Sequence, residues 1–340
     1  MPGTETQKQQ LTVVVPVCNE RQVLPQFHQR LTAVLAELDL RTDILYVDDG
    51  SSDGSYAWLD ECCKVDSRVA LLRLSRNFGK EVAMSAGLDY VDADAVVIID
   101  ADLQDPPELI PKLVAQWHAG FDVVFAKRES REGDGWLKQQ SAALFYRLLD
   151  RVSEVPIPRD VGDYRLLSRR SVAALRKLRE QHRYMKGLYA WIGFPQIAVS
   201  YDREARGDGR SKWKYRDLWH LALEGITSFS AAPLKLATWL GLFTSLVSFA
   251  YGLFFLLRTL LLGNPVPGYP SLIIITLFLG GVQLVCLGII GEYLARTYNE
   301  SKGRELYFVM EYREGSEHAT EPAPTSIERS SIELKKPAHD

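Results

Sequence analysis

The chain has 340 residues, 46% of them hydrophobic and 24% charged, with a formal net charge of −3, so bulk charge gives no footing for a nucleic-acid partner. Its four cysteines (Cys18, Cys62, Cys63 and Cys286) form no C-x-x-C pair, which argues for reduced thiols rather than a disulfide framework. The polar N-terminus has no apolar signal-peptide core, so the segment that follows is expected to stay in the cytosol.

In chain order, short β-branched runs alternate with helix-like segments. Strands are predicted at Leu11–Val15, Ile44–Val47, Val69–Leu74, Ala95–Ile99 and Asp122–Ala126, and helices at Arg21–Leu38, Gly54–Val65, Gly79–Val91 and Pro107–Ala119. Such alternation predicts an α/β domain: a Rossmann-like, mainly parallel sheet covered on both faces. Ligands of such sheets bind at the carboxyl ends of the strands. The polar clusters fall there: Asn19-Glu20, Asp48-Asp49-Gly50 and Asp100-Ala101-Asp102. Residues 136–200 read as more helical, with a short strand at Gln196–Tyr201. Between Tyr215 and Phe229 the spacing of Leu218, Leu221, Ala222, Ile226 and Phe229 predicts an amphipathic helix. It lies along a membrane surface or packs on the soluble domain, and the pattern alone serves both.

Leu236–Leu257 carries no charge and, as a helix, would be roughly 33 Å long. Tyr269–Gly291 is a second such stretch, and the turn between them holds Pro265 and Pro267. Each is long enough to cross a bilayer. Lys212, Lys214, Arg216 and Lys235 flank the first span, Arg296, Lys302 and Arg304 flank the second, and the connection carries only Arg258. The positive-inside rule then puts both termini in the cytosol. Two buried core helices are the disfavoured alternative. The expected plan is an N-terminal tail (1–10), a catalytic domain (11–214), an interfacial helix (215–231), a transmembrane hairpin (232–298), a cytosolic segment (299–312) and a disordered tail (313–340).

Asp100 and Asp102 close an apolar strand two residues apart, so in extended geometry both carboxylates face one side. Paired hard oxygens together with substrate phosphates suit Mg²⁺ or Mn²⁺. The carboxylates of Asp48-Asp49-Gly50-Ser51-Ser52-Asp53-Gly54 suit hydrogen bonds from a nucleotide base or ribose. The same stretch matches G-x-S-x-G, but two adjoining aspartates disfavour a hydrolase nucleophile there. The cluster Arg203, Arg206, Arg210, Lys212, Lys214 and Arg216, interleaved with Gly207, Gly209 and Ser211, suits anionic lipid head groups or a substrate phosphate equally. The histidines show no metal-ligand spacing.

Eight segments in order then resemble one family: VVVPVCNE (13–20), VDDGSSDGS (47–55), RNFGKEVAMSAGLD (76–89), IIDADLQDPPELI (98–110), GDYRLLSRR (162–170), RYMKGLYAWIGF (183–194), REARGDGRSKW (203–213) and GEYLARTYNESKGRELYFV (291–309). Together they resemble the family 2 glycosyltransferases, in particular those that act on polyprenyl phosphates. The resemblance implies an A-type glycosyltransferase fold and inverting transfer of a hexose from a nucleotide-diphosphate sugar. Glucose from a UDP-sugar comes first and mannose from GDP-mannose second. It implies a donor pocket of Pro16, Asn19, Glu20, Asp48, Asp49, Gly50, Ser51, Lys80, Asp100, Ala101 and Asp102. The metal would lie on Asp100, Asp102 and Gln104, and Asp163 with Asp102 would carry catalysis. The lipid phosphate would meet Arg128, Arg203, Arg206, Ser211 and Lys212. The implied partners are the donor, a polyprenyl phosphate and the cytoplasmic membrane, and the hairpin offers faces for a homo-oligomer. A processive polysaccharide synthase is disfavoured, since Q-x-x-R-W is missing. A catalytically silent membrane scaffold is the rival of another class.

Overall fold

A computed structural model describes residues 8–128, 161–201, 232–262 and 268–315. Among them, eight strands form one sheet: β1 (Gln10–Val17), β2 (Arg41–Asp48), β3 (Val69–Leu74), β4 (Ala95–Ile98), β5 (Val123–Arg128), β6 (Val161–Ser168), β7 (Gln196–Tyr201) and β8 (Val309–Arg313). Their order is β7-β5-β6-β4-β1-β2-β3-β8. Strands β4, β1, β2 and β3 are parallel neighbours, and β5 pairs parallel with β7. β6 and β8 run against their neighbours. The sheet is thus mainly parallel, as the alternation of strands and helices implies.

Helices α1 (Leu24–Ala36), α2 (Ser55–Val65), α3 (Lys80–Tyr90) and α4 (Ile110–His118) follow the first four strands, with a 3₁₀ turn (Pro107–Leu109) leading into α4. Two short helices, α5 (Arg169–Leu175) and α6 (Met185–Trp191), follow β6. Strand β1 shows why its run is apolar throughout. Leu11, Val13 and Val15 enter a core with Phe27, Leu31 and Leu113, while Val14 faces a second core with Met84, Ala86 and Leu188. A strand buried on both faces has no polar alternation to show. Gly87 lets α3 lie close on β1, since a Cβ there would sit 2.4 Å from a Val14 methyl.

Two strands depart from the expected elements. β6 lies in the stretch read as mostly helical, because Asp163 and Arg165 break its apolar pattern although Arg165 is buried. β8 falls across the boundary expected between the cytosolic segment (299–312) and the tail (313–340). It is a five-residue edge strand with two charged residues, too short and too polar for periodicity to register.

Helices α7 (Ala232–Leu262) and α8 (Tyr269–Ser301) have 31 and 33 residues. Both are long and apolar enough to cross a membrane, with mean hydropathy 1.5 over Leu234–Phe255 and 2.3 over Ile274–Ser301. Only 11% and 0% of those windows are buried within the protein, so the core-helix alternative does not hold. α8 outlasts the expected span by ten residues, helped by an Arg296–Glu292 pair at 3.2 Å. Its last turn meets the sheet domain: Glu300 accepts from the Gln181 amide at 2.7 Å, and Asn299 lies 3.3 Å from His182. The interfacial helix expected at 215–231 lies outside the described residues.

Candidate active site

The chain crosses from β1 to β2 on one side and pairs β1 with β4 on the other, which opens a crevice beyond their carboxyl ends. A cavity of about 330 Å³ occupies it, lined by Pro16, Cys18, Glu20 and Asp49 on one wall and Asn77, Lys80, Asp100 and Asp102 on the other.

The turn after β2 is built first. Asp49 is buried, and its carboxylate accepts the backbone amides of Phe78 at 2.7 Å and Gly79 at 2.9 Å. Burial pushes its carboxyl up, against the pull of those two amides. Asp48 points away from the cavity: it is fully buried, accepts the Ser51 amide at 3.1 Å and lies 3.6 Å from Arg73. Gly50 has φ +68°, and a Cβ there would meet the Asn77 backbone nitrogen at 2.6 Å. Asn19, at φ +58°, accepts the Ser52 amide at 2.8 Å and donates its own amide to the Ser51 hydroxyl at 3.0 Å. Asn19, Asp48, Gly50 and Ser51 therefore shape the wall without lining the cavity.

The opposite wall follows from register. β4 and β6 pair antiparallel with Ile98 opposite Arg165, so two residues further on Asp163 comes opposite Asp100. The Lys80 ammonium bridges the two carboxylates at 2.6 Å each. Burial pushes Asp100 up to about 6, with Lys80 opposing and Asp163 adding to the rise. Burial would also raise Asp163, but Lys80 and Lys186 outweigh it and hold that carboxyl low. Burial works against the Lys80 charge, yet its two carboxylates raise it above the ordinary lysine value. Glu81 sits next in the chain and accepts the Met185 amide at 2.9 Å, and burial pushes its carboxyl up to about 7.

The loop after β4 is held from both later strands. The Tyr164 hydroxyl donates to the Pro106 carbonyl at 3.0 Å, and the Tyr201 hydroxyl donates to Asp105. Within it, Leu103 has φ +59°, and the Gln104 amide donates to Asp102 at 3.0 Å. The side-chain oxygen of Gln104 is buried and has no hydrogen-bond partner among the described residues. Asp100 and Asp102 line the cavity and as hard oxygen donors fit a divalent cation of the Mg²⁺ or Mn²⁺ type, whereas Gln104 does not line it. Among the described residues no cluster of three or more His, Cys, Asp or Glu side chains offers a cation site, so a cation here would draw its other ligands from substrate.

Of the residues expected at the site, the structure brings Pro16, Glu20, Asp49, Lys80, Asp100, Ala101 and Asp102 to the cavity wall and sets Asp163 against Lys80. Arg128 ends β5. Arg203, Arg206, Ser211 and Lys212 lie outside the described residues. Sequence reasoning missed Cys18, Asn77, Glu81 and Arg165. Cys18 and Asn77 sit inside segments already singled out. Arg165 also sits in such a segment, GDYRLLSRR, but its role is packing: its guanidinium stacks on the Tyr189 ring at 3.6 Å and donates to the Gly162 carbonyl at 2.9 Å.

A doubly covered sheet with a carboxylate-walled crevice at the strand ends defines the class, an A-type glycosyltransferase domain. The chain belongs to glycosyl transferase family 2, which residues 12–176 match, and residues 232–297 match the GtrB C-terminal hairpin. It is 49% identical over 302 residues to an uncharacterized glycosyltransferase of Synechocystis sp., covering 89% of this chain and 95% of that one. It is 45% identical over 299 residues to the bactoprenol glucosyl transferase of Shigella phage SfV, covering 88% and 97%. Among solved structures, glucosyl-3-phosphoglycerate synthase from Mycobacterium tuberculosis in complex with Mn²⁺, UDP-glucose and phosphoglyceric acid aligns with 64% of this chain and 78% of its own. The two are 18% identical, with a TM-score of 0.46.

Proposed function

We propose that this chain transfers glucose from a nucleoside-diphosphate donor to a polyprenyl phosphate at the cytoplasmic face of a membrane, with inversion at the anomeric carbon. One observation carries the reading: a donor-type cavity and an apolar two-helix hairpin stand in one chain. The 45% identity to a bactoprenol glucosyl transferase supports glucose and a lipid acceptor over the silent scaffold. GDP-mannose is the second donor to test.

On this reading Asp49 and the turn around it take the nucleoside, and Asp100 and Asp102, with Gln104 two residues further on, would hold Mg²⁺ or Mn²⁺. When bound, the cation neutralises charge on the departing diphosphate. An oxygen of the acceptor phosphate attacks the anomeric carbon while the bond from that carbon to the diphosphate breaks on the opposite face. A phosphate monoester has its second pKa near 6, so the nucleophile is anionic without a strong base. Asp163 then orients the acceptor, and positioning and charge neutralisation dominate.

The hairpin brings the acceptor to this site. β8 follows α8 and pairs with β3, so the chain re-enters the catalytic sheet after both apolar helices. That return supports an even number of crossings, and flanking basic residues favour the cytosolic side. We keep 11–214 as the catalytic segment, completed by β8 (Val309–Arg313) at its β3 edge, and 232–298 as the anchor, with Arg203, Arg206, Ser211 and Lys212 near the end of the catalytic segment proposed to meet the lipid phosphate.

The test is transfer from radiolabelled UDP- and GDP-sugars to undecaprenyl phosphate in detergent, with Mg²⁺, Mn²⁺ or EDTA. One labelled lipid, formed from UDP-glucose only when metal is present, supports the proposal. Labelling from GDP-mannose alone replaces the donor, and no labelled lipid from folded protein favours the scaffold.

A further inference from the structure

Lys80 stands where its charge is costly to explain as surface decoration. It opens α3 behind Gly79, which has φ +98°, and its ammonium reaches Asp100 and Asp163 at 2.6 Å each while the side chain keeps 42% of its exposure. It lines the cavity beside Asp102. Without it, the carboxylates of Asp100 and Asp163 would lose the one cation that bonds both. Glu81 lies next in the chain, and Lys186 and Arg165 are the other cations acting on Asp163. Among these cations, Lys80 is the one that also bonds Asp100.

The Asp100 oxygen that accepts from the ammonium at 2.6 Å would bring a divalent cation close to that like charge, so the two repel each other at one carboxylate. A lysine is a flexible point charge, and the nearest alternative anion for it, once a donor enters the crevice, is the diphosphate. Resting on the metal reading given above, we propose that Lys80 is an exchangeable counter-ion. It holds the Asp100–Asp163 pair when the crevice contains no donor and yields Asp100 to the divalent cation by moving onto the donor's phosphates. Cation and donor then bind cooperatively, because each relieves a cost the other would meet alone. Such coupling is reciprocal between the two ligands. Lys80 is thus a donor-binding residue that also couples donor binding to cation binding.

The experiment measures Mn²⁺ binding to the full-length protein in detergent by electron paramagnetic resonance, with and without UDP, for wild type, Lys80→Gln and Lys80→Arg. Thermal melts check that each variant is folded. Wild type is expected to bind Mn²⁺ weakly alone and about tenfold more tightly with UDP, within the usual range of coupling between sites. In Lys80→Gln, Mn²⁺ binding without UDP tightens by about tenfold and the gain from UDP shrinks toward unity. Lys80→Arg retains a UDP-dependent gain. If Lys80→Gln is folded and matches wild type in both conditions, Lys80 is no counter-ion and the proposal is overturned, while the metal reading stands. If wild type binds no Mn²⁺ even with UDP, the metal reading falls and takes this proposal with it.

Discussion

The backbone amide of Gln181 donates to the Glu300 carboxylate at 2.7 Å, joining residues 119 apart in the chain. This contact ties the end of α8 to the segment that leads into α6, where the Met185 amide binds Glu81 beside Lys80. Two hydrogen bonds, with short stretches of chain between them, therefore connect the end of the apolar hairpin to Lys80 on the cavity wall.

Glu300→Ala is expected to loosen that junction. A hydrogen bond to a charged group contributes about 1.5–3 kcal/mol when sheltered, and exposure here brings the loss nearer to about 1 kcal/mol. Amide hydrogen exchange should accelerate roughly fivefold at Gln181 and Met185, by that energy, and stay unchanged at Val13–Val15 in the buried strand β1. Equal acceleration throughout would mean global destabilisation instead.

The two carboxylates bridged by Lys80 differ in their duties. Asp100→Asn is expected to lower turnover by roughly 10²–10³, the scale of losing a preorganised charge at the reacting centre. Asp163→Asn should cost about tenfold, below the usual span for a general base, because the acceptor phosphate is already ionised. Initial rates under saturating donor, on variants with matched melting curves, decide the order. Wild-type turnover in Asp100→Asn would sink the metal assignment.

Glu81 gives stability a pH dependence with a definite sign. Burial raises its carboxyl to about 7 in the folded chain, against about 4.3 when unfolded. Between those values the folded state binds more proton, so stability from this group is full below about pH 4 and is lost as pH rises through about 7. Urea midpoints from pH 5 to 8 should therefore decline less in Glu81→Gln, whose amide oxygen can still accept from Met185. An unchanged slope in that variant would refute the assignment.

Gly50 and Gly54 separate two costs of adding a methyl group. Both have positive φ, but a Cβ at Gly54 meets open space, whereas one at Gly50 would lie 2.6 Å from the Asn77 backbone nitrogen. Gly54→Ala should cost the backbone term of about 1–2 kcal/mol. Gly50→Ala adds overpacking of about 1–3 kcal/mol and shifts Asn77 and Asp49 on the cavity wall. Denaturant titration measures the difference, and donor affinity should fall only in Gly50→Ala.

Much of this arrangement was legible in the residues. β3 and β7 coincide with their predicted ranges, and β1, β2, β4 and β5 differ from theirs only at the ends, because buried parallel strands are apolar runs bounded by turn residues. The D-A-D at the end of β4 needed only the two-residue period of a strand. What stayed hidden depends on contacts between distant segments. Arg165 looks like a solvated residue until Tyr189 covers it. The meeting of Asp100 with Asp163 requires the antiparallel register of β6, which no local pattern encodes. β8 exists as a strand only because β3 offers it an edge.

That last strand has a consequence for biosynthesis. Residues 309–313 complete the edge of the catalytic sheet, yet they are translated after both apolar helices. While the ribosome is still making the hairpin, the backbone of β3 has an open edge, the kind of surface that invites mispairing between nascent chains. The sheet closes once the second helix is finished and residues 309–313 pair with β3. On the proposed two-span arrangement, a chain whose hairpin failed to return would be left with an unfinished sheet, so completion of the sheet would double as a check on the hairpin's insertion.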